Sequence, residues 1–83
     1  MAENEETPDP DQEWRERAKG ILRAEMARKR MDYQTLADEL VKLGVQDTAA
    51  SLRAKMFRGG FSAVFFLQVL TVLGCKEIKL DWL

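Results

Sequence analysis

The sequence predicts an all-α fold: a compact bundle of four to five short helices followed by a short extended C-terminal arm. Three observations carry this. Apolar residues recur every three or four positions through four successive segments. Each segment is bounded by a capping residue or a glycine. No segment but the last eight residues alternates with the period of two that marks a strand.

In the first segment Trp14, Ala18, Ile21, Leu22 and Met26 share one face, with Glu16, Arg23, Arg28 and Arg30 on the other, predicting a helix over 12–30. Gly20 weakens it slightly, by about 1 kcal/mol relative to alanine. Asp32 is a good N-cap for a second helix over 33–43, with Leu36, Ala37, Leu40 and Leu43 as its stripe and Gly44 as its stop. Val45 plugs the turn that follows. Asp47 or Thr48 caps a third helix, about 48–58, where Ala49, Leu52 and Met56 line one side and Gly59-Gly60 ends it. Ser62 caps a fourth over 63–73, closed by Gly74. This last helix carries two apolar stripes: Ala63, Phe66, Leu67, Leu70 and Leu73, and Phe65, Val69 and Val72. A helix apolar on most sides is central or buries its second face in a partner. Residues 76–83 alternate charged and apolar as far as Trp82, the pattern of a short half-buried strand or an extended arm.

Composition bounds the function. With 83 residues, 46% hydrophobic and 33% charged, the chain has room for one globular domain near the lower size limit for a self-sufficient core. There is no histidine and one cysteine, which excludes a zinc site of the usual four N/S ligands and Ser-His-Asp or Cys-His catalysis. An enzyme is not expected, and neither a cofactor, a metal nor a small-molecule ligand is implied. No signal peptide is recognisable, and the longest apolar stretch, residues 61–73, falls short of the roughly 20 residues a membrane span needs. The expectation is a soluble, cytoplasmic protein with no membrane partner. The lone Cys75 reads as a small buried hydrophobe.

Charge is uneven along the chain. Residues 1–13 hold six of the fourteen acids, both prolines and no base, and read as a disordered acidic tail. Residues 14–83 then carry thirteen bases against eight acids, a net +5. The domain organisation expected is the tail at 1–13, a helical domain at 14–75 and the arm at 76–83.

Leu36-Ala37 in helix 2, Gly44-Val45 in the turn, Leu52 and Met56 in helix 3, Gly59 after it, and an apolar helix 4 ending Val72-Leu73-Gly74 resemble the Cro/phage-repressor-like helix-turn-helix domains. The resemblance implies a bundle of lambda-repressor-like type. Ala37 allows helices 2 and 3 to cross closely and the glycine permits a positive φ in the turn. The chain departs from that pattern: Gly44 lies seven residues after Ala37 rather than about three, and Tyr33 stands where a glutamine often opens helix 2. A closer resemblance covers most of residues 14–74. Trp14, Ala18-Lys19-Gly20, Glu25-Met26, Tyr33, Gly44-Val45, Arg58 through Ala63 and Phe65-Phe66 are similar to a small bacterial domain family of unknown function. It implies a bacterial origin and a repressor-like fold, and no activity.

In a helix-turn-helix protein the second helix of the motif enters the major groove. Helix 3 offers Gln46, Thr48, Ser51, Arg53 and Lys55 as base-contacting candidates, with Ala49, Ala50 and Ala54 small enough for close approach. Arg53 is the best placed for a bidentate contact to guanine. Arg28, Lys29, Arg30, Tyr33, Gln34 and Arg58 are the phosphate-contacting candidates. The bland alternative is that these cations are a solvated surface and suit helix C-termini. Tyr33 and Phe57 more often cover core edges than stack on bases, and Glu25 is expected to pair with an arginine rather than serve as an acid or base. Phe65, Val69, Val72 and Trp82 are the dimer-interface candidates. The expected function is a DNA-binding transcriptional regulator with duplex DNA as partner, acting as a homodimer. The alternative is a protein-interaction module that keeps the fold without DNA.

Overall fold

In a computed structural model, which describes residues 9–80, the chain forms four helices: α1 Gln12–Lys29, α2 Tyr33–Val41, α3 Ala49–Arg58 and α4 Ala63–Val72. No strand occurs among the described residues. α2 packs against both α3 and α4, and α1 also lies against α3 and α4. Leu22, Leu36, Leu40, Leu52, Met56 and Val69 are wholly buried where they meet. Each such side chain contributes about 1.5–3 kcal/mol by leaving water.

The helix ends follow from local chemistry. Asp32, Thr48 and Ser62 each accept a hydrogen bond from the backbone N–H three residues on, satisfying one of the donors a helix start leaves open. At the other end, Gly44 and Gly74 follow their helices with φ of 83° and 72°, the left-handed region where a side chain is strained. α1 ends instead on Arg30, at φ 54° and ψ 42°, while the Met31 N–H reaches back to the Met26 carbonyl at 2.9 Å. This is a left-handed helix terminus built without glycine.

Several expectations are corrected. Residues 1–8 of the acidic tail lie outside the described residues, but Asp9 to Glu13 are not featureless. The Asp9 carboxylate accepts from the Asp11 N–H and the Arg15 guanidinium, and Gln12 and Glu13 are already in α1. The core face of α1 is Lys19, Leu22 and Met26, whereas Trp14 is about half exposed, its ring beneath the Arg17 guanidinium at 4.8 Å. α2 stops at Val41, two residues early, and Leu43 faces solvent.

On α4 both stripes contribute to the core: Leu70 and Leu73 of the first are buried as expected, but so is most of the second. Phe65 and Val69, proposed to meet a partner, are 6% and 0% exposed in the single chain, and Val72 packs against the same core. Leu67, expected inside, and Val64 face outward. The reason is that periodicity fixes the spacing of a stripe, not which sector of a nearly all-apolar helix meets the core. Trp82, the remaining dimer candidate, lies outside the described residues. Of the strand or extended arm expected over 76–83, the described residues 76–80 form no strand, since an unpaired strand has no ladder to hold it, and the arm alternative is left. Ile78 and Leu80 instead line an apolar cleft with Trp14, Ile21 and Phe66.

The end of α3 comes close to the α1 backbone. Gly59 ends α3 with φ 75°, and a Cβ added there would stand 2.9 Å from the Arg15 carbonyl oxygen and 3.2 Å from the Arg15 Cβ. Gly59→Ala is therefore expected to destabilise the fold by about 2 kcal/mol or more, lowering Tm by roughly 8–16 °C. Gly60→Ala, whose Cβ would meet only the Arg15 Cδ at 3.5 Å, serves as the control and should stay within about 0.5 kcal/mol. Thermal melts of the two variants check this; equal melts would contradict the close approach.

Candidate nucleic-acid interface

The α2 and α3 segments bring part of the expected site together. Leu52 and Met56 turn one side of α3 into the core, which leaves Ala50, Arg53, Ala54 and Phe57 on the opposite side, all exposed. The Arg53 guanidinium carbon lies 5.2 Å from the centre of the Tyr33 ring, so the second turn of α3 stands beside the first residue of α2. Arg53 has no carboxylate partner among the described residues. Its stacking on a half-buried ring orders the side chain while leaving its five donors unused.

Arg30 and Lys29 are exposed and also lack a carboxylate partner among the described residues, but the Lys29 ammonium reaches the end of α4, 3.7 Å from where a Cβ of Gly74 would stand. The left-handed conformation of Arg30 costs roughly 1–2 kcal/mol for a residue with a Cβ. A position that favours glycine thus carries a cation at the α1–α2 corner. Gln34 is exposed and donates to Asp38 at 3.1 Å. Gln46 is exposed in the seven-residue connection from 42 to 48.

Other candidates are committed elsewhere. The Lys55 ammonium is 2.7 Å from an Asp47 carboxylate oxygen and 4.9 Å from the Phe65 ring centre, so it braces the loop against the core and does not present itself to a ligand. The Asp47 side chain is only 7% exposed. Burial alone would push its carboxyl up, but the bonds from Lys55, Ser51 and the Thr48 N–H prevail and hold it below the usual carboxylate range. The Thr48 hydroxyl oxygen is occupied as the cap of α3, and Ser51 is half-buried. Arg28 pairs with Glu25 at 3.0 Å, the arginine pairing expected for that glutamate. The Asp32 carboxyl is likewise held low, chiefly by the Thr35 N–H that it caps.

Arg58 does not join the Arg53–Tyr33 group. It lines a separate cleft against the first half of α1, roughly 20 Å along that helix from Arg30. Sequence reasoning passed over two features of this region. Phe57, expected at a core edge, is 74% exposed, the most open of the large apolar residues described. Lys19, on the core side of α1, is 8% exposed and donates to the Phe57 carbonyl at 2.7 Å. The Ala18-Lys19 spacing gave no sign of it, because a lysine stem covers apolar surface as readily as an alkyl chain does.

Among the described residues no group of His, Cys, Asp and Glu is arranged to hold a metal ion, and no helix is long and apolar enough to cross a membrane. Cys75 is a free, half-buried thiol whose S–H lies 3.3 Å from the Glu77 carbonyl.

Residues 14–78 match the family described as "Domain of unknown function (DUF6471)". No curated protein and no solved structure matches the chain.

The strained corner yields a separable test. Arg30→Gly relieves the left-handed strain and should raise stability by up to about 1 kcal/mol. It should also weaken any anion binding at the α1–α2 corner, so chemical denaturation and binding assays should move in opposite directions. A loss of stability would mean that Arg30 is held by contacts rather than strained.

Proposed function

The chain belongs to the DUF6471 family of domains of unknown function, and we propose that it is a DNA-binding transcriptional regulator that lays α3 in the major groove of duplex DNA. In this reading α2 and α3 act as a helix-turn-helix pair of the lambda-repressor-like type, with an unusually long connection. The observation that carries the proposal is Arg53: an exposed guanidinium without a carboxylate partner among the described residues, steadied on Tyr33 and flanked on its helix face by Ala50 and Ala54. Arginine forks match the O6 and N7 acceptors of guanine, and small neighbours let the helix backbone approach the base edges.

The exposed Arg30, three residues before α2 begins, supplies a sequence-independent phosphate contact, and the exposed Lys29, whose ammonium reaches Gly74 at the end of α4, is a second candidate further from α2. Gln34 and Gln46 are further exposed polar candidates. Duplex DNA as the partner goes with a cytoplasmic location. The role is binding rather than catalysis, and a second copy reading a palindromic site remains part of the proposal.

A second reading is favoured by Phe57. A phenylalanine 74% exposed on the same face as Arg53 suits a protein partner, since aromatic and arginine side chains dominate the centres of protein interfaces. In that case the fold serves as a protein-interaction module.

Fluorescence anisotropy of a labelled duplex, titrated at about 50 and 200 mM salt, separates the two. The DNA reading expects micromolar binding at the lower salt that falls steeply at the higher, and an Arg53→Ala variant that loses sequence preference worth about 1–3 kcal/mol. An Arg53→Ala protein that binds every sequence like the parent would remove α3 from the groove. No binding at either salt would leave the protein-interaction reading.

A further inference from the structure

A cleft of about 640 Å³ opens between the first half of α1 and the end of α3, away from the Arg53–Tyr33 pair. Three cations line it, Arg15, Lys19 and Arg58, against one carboxylate, Glu16. We propose that this cleft binds a phosphate group, held by Arg58, Arg15 and the backbone N–H of Gly60.

Each of these groups has donors to spare. Arg58 is exposed and has no carboxylate partner among the described residues. Arg15 meets Asp9 and the Gln12 side-chain oxygen through a single terminal nitrogen, Nη2, which leaves the donors on Nε and Nη1. Lys19 spends one N–H on the Phe57 carbonyl at 2.7 Å and one on Glu16 at 3.1 Å, so one of its three remains. The Gly60 N–H has no acceptor among the described residues, and Gly60 itself lines the cleft. Gly60 lies beside the Arg15 side chain: a Cβ there would stand 3.5 Å from the Arg15 Cδ, an ordinary contact.

The existing acids do not close the site. Glu16 is drawn aside by Lys19 and by the Gln12 amide, which donates to it at 3.2 Å. Asp9 approaches Arg15 but is not among the residues that line the cleft. Arginine forks suit a tetrahedral oxyanion with several equivalent oxygens better than a single carboxylate, and a free backbone amide adds a directional donor.

The phosphate has two sources. One is the backbone of a duplex whose groove holds α3; this source rests on the DNA-binding reading and would add a contact at the C-terminal end of that helix. The other is free phosphate or a small phosphate monoester, which does not depend on DNA binding.

Nuclear magnetic resonance of the full chain labelled with nitrogen-15 tests the cleft directly. Inorganic phosphate is titrated to about 10 mM, the range for a small ionic site, with chloride keeping the ionic strength constant. The Gly60 amide and the Arg58 Nε–H are expected to shift along a saturating curve, and Arg58→Gln should weaken that binding about tenfold. Because Arg58 is exposed, the variant's spectrum elsewhere should be unchanged, so a lost response reports binding rather than folding. Chloride alone producing the same shifts, or no saturating shift with either phosphate or duplex, would overturn the proposal.

A duplex spanning about one and a half helical turns is then titrated. If it moves the same resonances, and Arg58→Gln lowers the salt slope of its binding by about 0.9, the phosphate belongs to DNA. If inorganic phosphate saturates the cleft and the duplex does not bind, the cleft stands and the DNA reading falls. If the duplex binds through Arg53 while Gly60 and Arg58 respond to neither ligand, the DNA reading stands and the cleft falls.

Discussion

The buried ammonium of Lys19 ties the last turn of α3 to α1. It donates to the Phe57 carbonyl, one of the acceptors that the end of a helix leaves without an intrahelical partner, and it keeps Glu16 as a second contact. A lysine only 8% exposed is costly unless its charge is bonded in this way. Gly59 makes the contact possible, because its left-handed turn lets the α3 terminus come within van der Waals limits of the Arg15 backbone. The Lys19 Cδ would itself be 3.2 Å from a Cβ at that position. One glycine and one lysine therefore set where α3 lies against α1.

That position decides what α3 presents. With Leu52 and Met56 held in the core and the C-terminal turn pinned to α1, Arg53 meets Tyr33, Phe57 is left in solvent and Arg58 falls into the cleft beside Arg15. The Lys55–Asp47 pair holds the connection that precedes the helix. Surface cations on one short helix thus have three different fates. Lys55 is structural, Arg53 is ordered with its donors unused, and Arg58 shares a separate cleft with two other bases.

The helices were legible in the sequence because their boundaries are local. Asp32, Thr48 and Ser62 cap as expected, and Gly44, Gly59 and Gly74 adopt the positive φ that a helix stop requires. What sequence reasoning missed is tertiary in origin. Val64 and Leu67 could not be separated from Phe65 and Val69 by spacing, since all four lie on an apolar helix and only the neighbours choose the inward sector. Lys19 was assigned no role because nothing in its neighbourhood along the chain announces the Phe57 carbonyl, 38 positions away. Of the candidate site, Arg53 and Tyr33 came together, Thr48 went to the cap that the sequence had already offered it, and Lys55 and Ser51 were spent on bonds to Asp47 that sequence alone does not reveal.

The most direct test of the central claim is to follow the Arg53 Nε–H and the Tyr33 ring protons by nuclear magnetic resonance as unlabelled duplex DNA is added. The account predicts that both resonances shift together and saturate with the duplex, because a base edge that meets the guanidinium changes the surroundings of the ring it rests on. Binding that leaves both unmoved while resonances of Val64 and Leu67 respond would contradict it, and would assign the contact to the outward face of α4.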